Sequence, residues 1–442
     1  MPVRIAARGL RASACALCCG AALLAPARAA DAPSYGELLR QSLGNAPLLM
    51  EQAAQVRAAG ADARQARAWP NPSFSALAEN LNAPASGGNS QRQETYSITQ
   101  PIEIGGKRAA RIEAGESALG AAQARERQVQ LVYAGELALA YANAEAMQQR
   151  RVIATDDLAR ANEDLRAARA LVQSGKEADL RVAQAASSVA AAQAAEQKAA
   201  ADVTEALARL SALAGAREPY SGLGRSFLED AAATRLPAAN PAADAPNAAG
   251  ASGALSSAVA PAASTAVSPA VARAAAERDA LASQARYEEK KWIPDIGVTA
   301  GTRSYGWTSQ NGLVVGVNIA IPLFDRNSGA IEAARQRALA AEARLEAAKL
   351  DAEANRRAAQ AQAGAAEQRL EAARQGEAAA AEAYRLGRIG YESGKTSLLE
   401  LLAIRRALSE ARLLTIDARL SRVRALAALA LADGRIPFGE AR

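Results

Sequence analysis

Two halves of this chain carry the same landmarks in the same order. Trp69-Pro70-Asn71-Pro72 returns as Trp292-Ile293-Pro294-Asp295, Gln100-Pro101-Ile102 as Ala320-Ile321-Pro322-Leu323, and Gln173-Ser174-Gly175-Lys176 as Glu392-Ser393-Gly394-Lys395, each about 220 residues on. A duplication on this scale restricts the fold to one unit built twice. Each unit reads as two short alternating segments followed by a long alanine-rich helical stretch that reverses at Ser-Gly-Lys.

The spacing predicts barrel-type strands at 73–83 and 93–104 in the first unit, and at 294–305 and 311–324 in the second. Leu313, Val315, Val317, Ile319, Ile321 and Leu323 alternate with Gly316, Asn318 and Ala320, and Tyr96, Ile98, Ile102 and Ile104 with Thr95, Ser97, Thr99 and Glu103. Each run has the roughly ten residues of a tilted strand crossing a bilayer. Trp69, Trp292, Tyr305 and Trp307 stand at strand ends, where amphipathic rings favour a membrane interface; ordinary packing is the other account of them.

No proline interrupts Lys107 to Leu171, which as a helix makes a rod of about 95 Å, far longer than a compact domain needs. Residues at spacings of three and four, such as Leu180, Ala183, Ser187, Ala190 and Ala194, or Leu413, Ile416, Leu420 and Val423, read as seams between closely packed helices. Hairpin tips are expected at about 174–176 and 390–396. The expected units are therefore an N-terminal helical segment at 30–68, the first repeat at 69–215, a low-complexity insertion at 216–269, the second repeat at 270–432 and a tail at 433–442.

Arg4, Arg8 and Arg11, the apolar run Ala14 to Ala25 and Ala27-Arg28-Ala29 read as an export signal over residues 1–29. All three cysteines, Cys15, Cys18 and Cys19, lie inside it, so disulfides do not hold the exported chain together. An acylated N-terminus at Cys18 or Cys19 is the alternative, against which stand Leu17 and Cys18 where a small residue is wanted. Lys and Arg number 52 against 46 Asp and Glu, and Arg4, Arg8, Arg11 and Arg28 belong to the signal. The near balance that remains gives no argument for nucleic acid.

Beyond the signal no stretch reaches the roughly 18 apolar residues of a spanning helix, so a membrane would be crossed by strands. Strand edges cannot stay unpaired in lipid, and four strands are too few for a barrel, so several copies would have to close one. The chain has no histidine, and neither an acidic cluster nor a phosphate loop stands out, so no enzyme, cofactor or metal site is expected.

The duplicated plan, the junction Gln100-Pro101-Ile102-Glu103-Ile104-Gly105-Gly106-Lys107-Arg108 and the run from Gly390 to Leu402 together resemble the TolC-like outer-membrane efflux proteins, over nearly all of the chain but the insertion. The junction is most similar to the branch serving heavy-metal resistance-nodulation-division pumps, of the cobalt-zinc-cadmium or copper-silver type. That resemblance implies a mainly α protein with a membrane β-barrel: a homotrimer, twelve strands in one barrel set in outer-membrane lipid, and a periplasmic helical tunnel. It implies a periplasmic adaptor and an inner-membrane pump as partners. The chain would be a passive duct for heavy-metal cations; drugs, dyes or secreted polypeptide are the alternative cargo, and an exported coiled-coil tether the alternative function.

Acidic residues just after the second tip can ring the constriction in that family. Glu400 occupies one such position and Ala403 stands at the other, while a solvated helix face is the plainer account of Glu400. Ser174, Gly175, Lys176, Ser393, Gly394 and Lys395 are candidates for docking the adaptor, although tight turns alone would explain the glycines. Gly105 and Gly106 are expected to make the first strand-to-helix bend. The run Asp325-Arg326-Asn327-Ser328 is expected to open the second long helix as its N-cap, with Asp325 and Asn327 at the second strand-to-helix junction.

Overall fold

A computed structural model describes residues 31–229 and 268–438, apart from residues 83, 86, 89, 176, 177, 225, 309 and 394. The export signal with its cysteines, most of the low-complexity insertion, Lys176 and Gly394 lie outside the described residues.

Each repeat begins with a helix that starts on a proline, a position where the missing N–H costs nothing. These are α2 (Pro47–Ala66), preceded by the short α1 (Tyr35–Asn45), and α5 (Pro269–Lys290). Trp69-Pro70 and Trp292-Ile293-Pro294 follow them and send the chain into strands. Strands β1 (Ser73–Glu79) and β2 (Gln93–Ile102) belong to the first repeat, β3 (Ile296–Tyr305) and β4 (Asn311–Ile319) to the second. Two helical hairpins complete the units. α3 (Lys107–Gln173) and α4 (Asp179–Ala214) have 67 and 36 residues; α6 (Ser328–Glu392) and α7 (Leu398–Ala432) have 65 and 35.

The four strands form one antiparallel sheet in the order β1-β2-β3-β4. Phe74, Ile98, Ala300 and Val315 are paired in register across it and so share a face, next to Leu313, Val317 and Ile319. That apolar face is the exposed one: Phe74 is 69% and Leu313 79% accessible. The opposite face carries Ser97, Thr99, Thr299, Gly301 and Arg303, all half-buried. Apolar outside and polar inside is the inverse of a water-soluble sheet and suits a wall between lipid and a wet lumen. The strands are shorter than expected: β1 stops at Glu79, and Ile321 and Leu323 continue past the end of β4 as exposed non-strand residues. Pro322 withholds the donor that further pairing would require.

The helices stand in four columns. α3 and α6 are single rods; beside them α4 continues below α2, and α7 below α5, so that neighbours run α2-α3-α5-α6 near the sheet and α4-α3-α7-α6 toward the tips. The end of α4 abuts the start of α2, where a Cβ on Gly215 would meet Asn45, Ala46 and Pro47, and Gly215 itself caps α4 in the left-handed region at φ 73°.

The main core sits where these broken columns meet. Tyr133, Leu137 and Tyr141 of α3, Leu210 of α4, Leu38 of α1 and Leu228 are fully buried there, each contributing about 1.5–3 kcal/mol by burial. Tyr35 stacks on Phe227 at 4.8 Å and donates to the carbonyls of Ala134 (3.2 Å) and Pro437 (2.8 Å). Glu145, buried on α3, accepts from Ser226 Oγ and from the amides of Phe227 and Leu228 at 2.6–2.9 Å, anchoring the segment that leads into the insertion.

One expected seam lies on the side of α4 left open within the chain. Leu180, Ala183, Ser187, Ala190 and Ala194 are all exposed, and α4 meets α3 instead through Val182, Ala185, Val189, Ala192, Ala199 and Val203. Both sets recur at three and four, and alanine on every side of α4 left periodicity unable to choose the inner one. The second expected seam, Leu413, Ile416, Leu420 and Val423, does lie inward.

Candidate functional site

The features a duct requires lie at three levels: the tips, the strand-to-helix junctions and the concave face of the sheet. At the first tip α3 ends at Ser174, whose Oγ donates to the Leu171 carbonyl (2.9 Å), and Gly175 turns the chain at φ 71° with nothing near its missing side chain. At the second, Ser393 N and Oγ both reach the Ile389 carbonyl (3.0 and 2.9 Å), and the amides of Lys395 and Thr396 close on the Gly390 carbonyl. Gly390 is needed here for space, because a Cβ would strike Thr396. Ser174, Gly175, Ser393 and Lys395 are exposed.

Glu400 is exposed in the first turn of α7, three residues after the cap Ser397, whose Oγ accepts from the Glu400 amide at 3.2 Å. Ser-x-x-Glu is a helix-start signature that the sequence carries in plain view, and it accounts for Glu400 within one chain.

Above the tips the two hairpins are joined by polar contacts. On α3, Arg150, Asp157 and Asp164 recur at heptad spacing and meet Asp417, Ser409 and Arg405 of α7; Ser409 Oγ donates to Asp157 Oδ1 at 2.8 Å and Arg405 pairs with Asp164 at 2.6 Å. The Arg160 guanidinium lies over the Tyr384 ring of α6 at 5.4 Å. Sequence reading missed this seam; polar residues seven apart on one face of a long helix were the available signal.

At the first junction Gly105 and Gly106 both hold positive φ, 66° and 77°. A Cβ on Gly105 would collide with Ile293, whereas Gly106 has open space. Lys107 pairs with Asp295 (2.7 Å) and Arg111 with Glu103 (2.5 Å), tying helix to strand. At the second junction the N-cap falls within Asp325-Arg326-Asn327-Ser328, at Asn327. Asn327 occupies the N-cap position of α6 in the left-handed region at φ 57°, and Asp325 Oδ1 accepts from the Asn327 amide at 2.9 Å, turning the loop rather than capping the helix. The Asn327 side chain donates to the Glu288 carbonyl (3.0 Å) and carboxylate (3.2 Å) at the end of α5. Burial raises the Glu288 pKa, but hydrogen bonds from Lys291, Asn327 and Gln284, with the Lys291 charge, outweigh it and hold the carboxyl below its usual range.

Trp69, Trp292 and Trp307 are 63%, 51% and 43% exposed. Trp69 lies under the Arg108 guanidinium at 4.7 Å, and Trp307 packs on Tyr305 with centroids 4.7 Å apart. Trp69 and Trp292 thus mark the helix side of the sheet, and Tyr305 with Trp307 the loop side. Among the described residues no group of three or more His, Cys, Asp or Glu is arranged to hold a metal, and no helix is long and apolar enough to cross a membrane.

The family model for outer membrane efflux proteins matches residues 38–216 and 261–435, most of the chain on both sides of the insertion. This chain belongs to the outer membrane efflux protein family. It is 57% identical over 429 residues to the nickel-cobalt-cadmium resistance protein NccC of Alcaligenes xylosoxydans xylosoxydans, covering 96% of this chain and 93% of that one. It is 58% identical over 420 residues to the nickel and cobalt resistance protein CnrC of Cupriavidus metallidurans, covering 95% and 94%. The crystal structure of CusC, described for its transmembrane channel formation, superposes with a TM-score of 0.72 at 18% identity, over 91% of this chain and 92% of that one, and so shares the fold. The efflux protein therefore places its sheet in the outer membrane and its helical columns in the periplasm.

Proposed function

We propose that three copies of this efflux protein close into one duct that passes divalent nickel and cobalt cations from a periplasmic adaptor and an inner-membrane resistance-nodulation-division pump to the outside. One observation carries the reading. The sheet order β1-β2-β3-β4 repeats the column order α2-α3-α5-α6, so sheet and helical layer are open on the same two sides. A neighbour that pairs β4 with β1 brings α6 against α2 and α4 in the same movement, and three sets of four strands give a twelve-stranded barrel. The exposed small residues on both free columns, Ala183, Ala190 and Ala194 on α4 and Ala343, Ala347 and Ala354 on α6, permit the close approach that this requires.

The cargo is read from the relatives: two proteins more than half identical over nearly the whole chain carry nickel and cobalt in their names. A passive duct does no chemistry on its cargo, and the energy comes from the pump. Growth of a deletion strain, with and without complementation, is the test. Sensitivity to nickel and cobalt restored by the plasmid is the expected result; sensitivity to dyes, detergents and antibiotics alone overturns the metal cargo and leaves the duct.

Within the duct, Ser174, Gly175 and Lys176 with Ser393, Gly394 and Lys395 dock the adaptor, and Glu400 rings the periplasmic opening. The two roles separate by mutation. Gly175→Trp is expected to abolish adaptor crosslinking with trimers intact, while Glu400→Ala keeps crosslinking and shifts the reversal potential of the reconstituted pore toward anions. The opposite pattern overturns both assignments.

A further inference from the structure

Eighteen strand positions face the concave side of the sheet, and only two of them are charged: Arg303 on β3 and Glu79 on β1. The rest are glycine, serine, threonine and other uncharged residues. An arginine in the wall of a cation path is an unexpected choice, because a fixed positive charge in a confined lumen repels the cargo over about 8–10 Å at physiological salt.

The guanidinium is not left projecting. Its Nε donates to Thr95 Oγ1 at 3.0 Å, on the residue paired with Arg303 across β2, and its Nη2 lies 3.9 Å from Glu79 Oε2 one strand further on. Arg303 therefore lies along the wall across three strands, with a carboxylate at its far end. It is two residues from Tyr305, about 7 Å inside the loop end of the sheet, the end remote from the helices. Both side chains keep partial access to water, at 34% and 44%, so their fields reach passing ions.

We infer that Arg303, Thr95 and Glu79 form a charge-balanced ring at the outer mouth, in which Glu79 neutralises Arg303 and holds it to the wall so that cations pass. This rests on the barrel reading above, in which the ring holds three copies of each charge and its net charge is zero. Removing Glu79 leaves three free arginines; removing Arg303 leaves three free carboxylates. Either change alters selectivity without altering the width of the barrel, because neither residue is replaced by a larger one.

The experiment is the reversal potential of the full-length protein in planar bilayers under a potassium chloride gradient at low salt. Glu79→Gln is expected to lower the cation-to-anion permeability ratio at least about threefold, Arg303→Gln to raise it by a similar factor, and the double variant to return it to within about twofold of the unmodified chain. The shifts should shrink at about 1 M salt, where screening cuts the reach of these charges to about 3 Å. Conducting single variants with unchanged reversal potential overturn the ring and leave the barrel standing. Absence of any conductance from the unmodified chain overturns the barrel reading and the ring with it. Should Arg303→Gln fail to assemble, Glu79→Gln decides alone, since its carboxamide keeps the side-chain volume.

Discussion

The two strand-to-helix junctions do the same geometrical job with different chemistry. Before α3 the backbone enters the left-handed region at Gly106, φ 77°, and before α6 at Asn327, φ 57°. The first repeat obtains that turn from two glycines and fixes it with ion pairs from neighbouring residues, Lys107 to Asp295 and Arg111 to Glu103. The second obtains it from one asparagine whose own side chain is bonded to Glu288. What is common to the two copies is a backbone shape, so a junction's tolerance to substitution follows its surroundings and not its place in the repeat.

The largest effect that would break this comparison is at Gly105. Gly105→Val meets both an unfavourable φ and the Ile293 side chain, and is expected to leave no assembled, heat-resistant oligomer on a gel. Gly106→Ala, one residue away with open space around it, should cost only the left-handed penalty of about 1–2 kcal/mol and assemble normally. Equal losses at the two positions would mean that space at Gly105 does not matter.

Asn327→Ala should fall between them. Asn327→Gly keeps the turn and loses the bonds to Glu288, at about 1 kcal/mol; Asn327→Ala loses both, at about 2–3 kcal/mol, read as thermal unfolding of the detergent-solubilised protein. A glycine variant as damaging as the alanine one would show that the side-chain bonds, not the backbone, hold the second junction.

The smallest effect is a pH dependence at the second junction. Because the folded Glu288 pKa is lowered, its ionised form stabilises the fold fully above the ordinary carboxylate range, and that contribution is lost as pH falls through the lowered value. Melting temperatures of the unmodified protein should therefore fall toward those of Glu288→Gln on acidification. A gap between the two that stays constant down to pH 3 would remove the carboxylate from the account.

Much of this was open to a reader of the chain. Strand pairs, rods and reversals follow from proline placement, alternation and alanine content, all of them local. The run Asp325 to Ser328 marked the start of the helix without saying which residue caps it, because an acidic residue before a helix serves equally as a cap or as a turn, and only the φ of Asn327 separates the two. Whether the run Leu180 to Ala194 packs within the chain or lies on its open side was not legible, because a helix with alanine on several faces has no unique inner side. Glu145 and its bonds to Phe227 and Leu228 carried no local signal, since its partners are more than 80 residues away.

By itself the sequence determined the duplication, the element types and a sheet with its apolar side outward, because these depend on periodicity and on residues near one another in the chain. Only the tertiary structure decided that strands and helix columns share one order and one pair of open edges, which side of α4 packs, and that Arg303 reaches Glu79. These join residues far apart in sequence, where contact depends on how twisted strands and long rods are brought side by side.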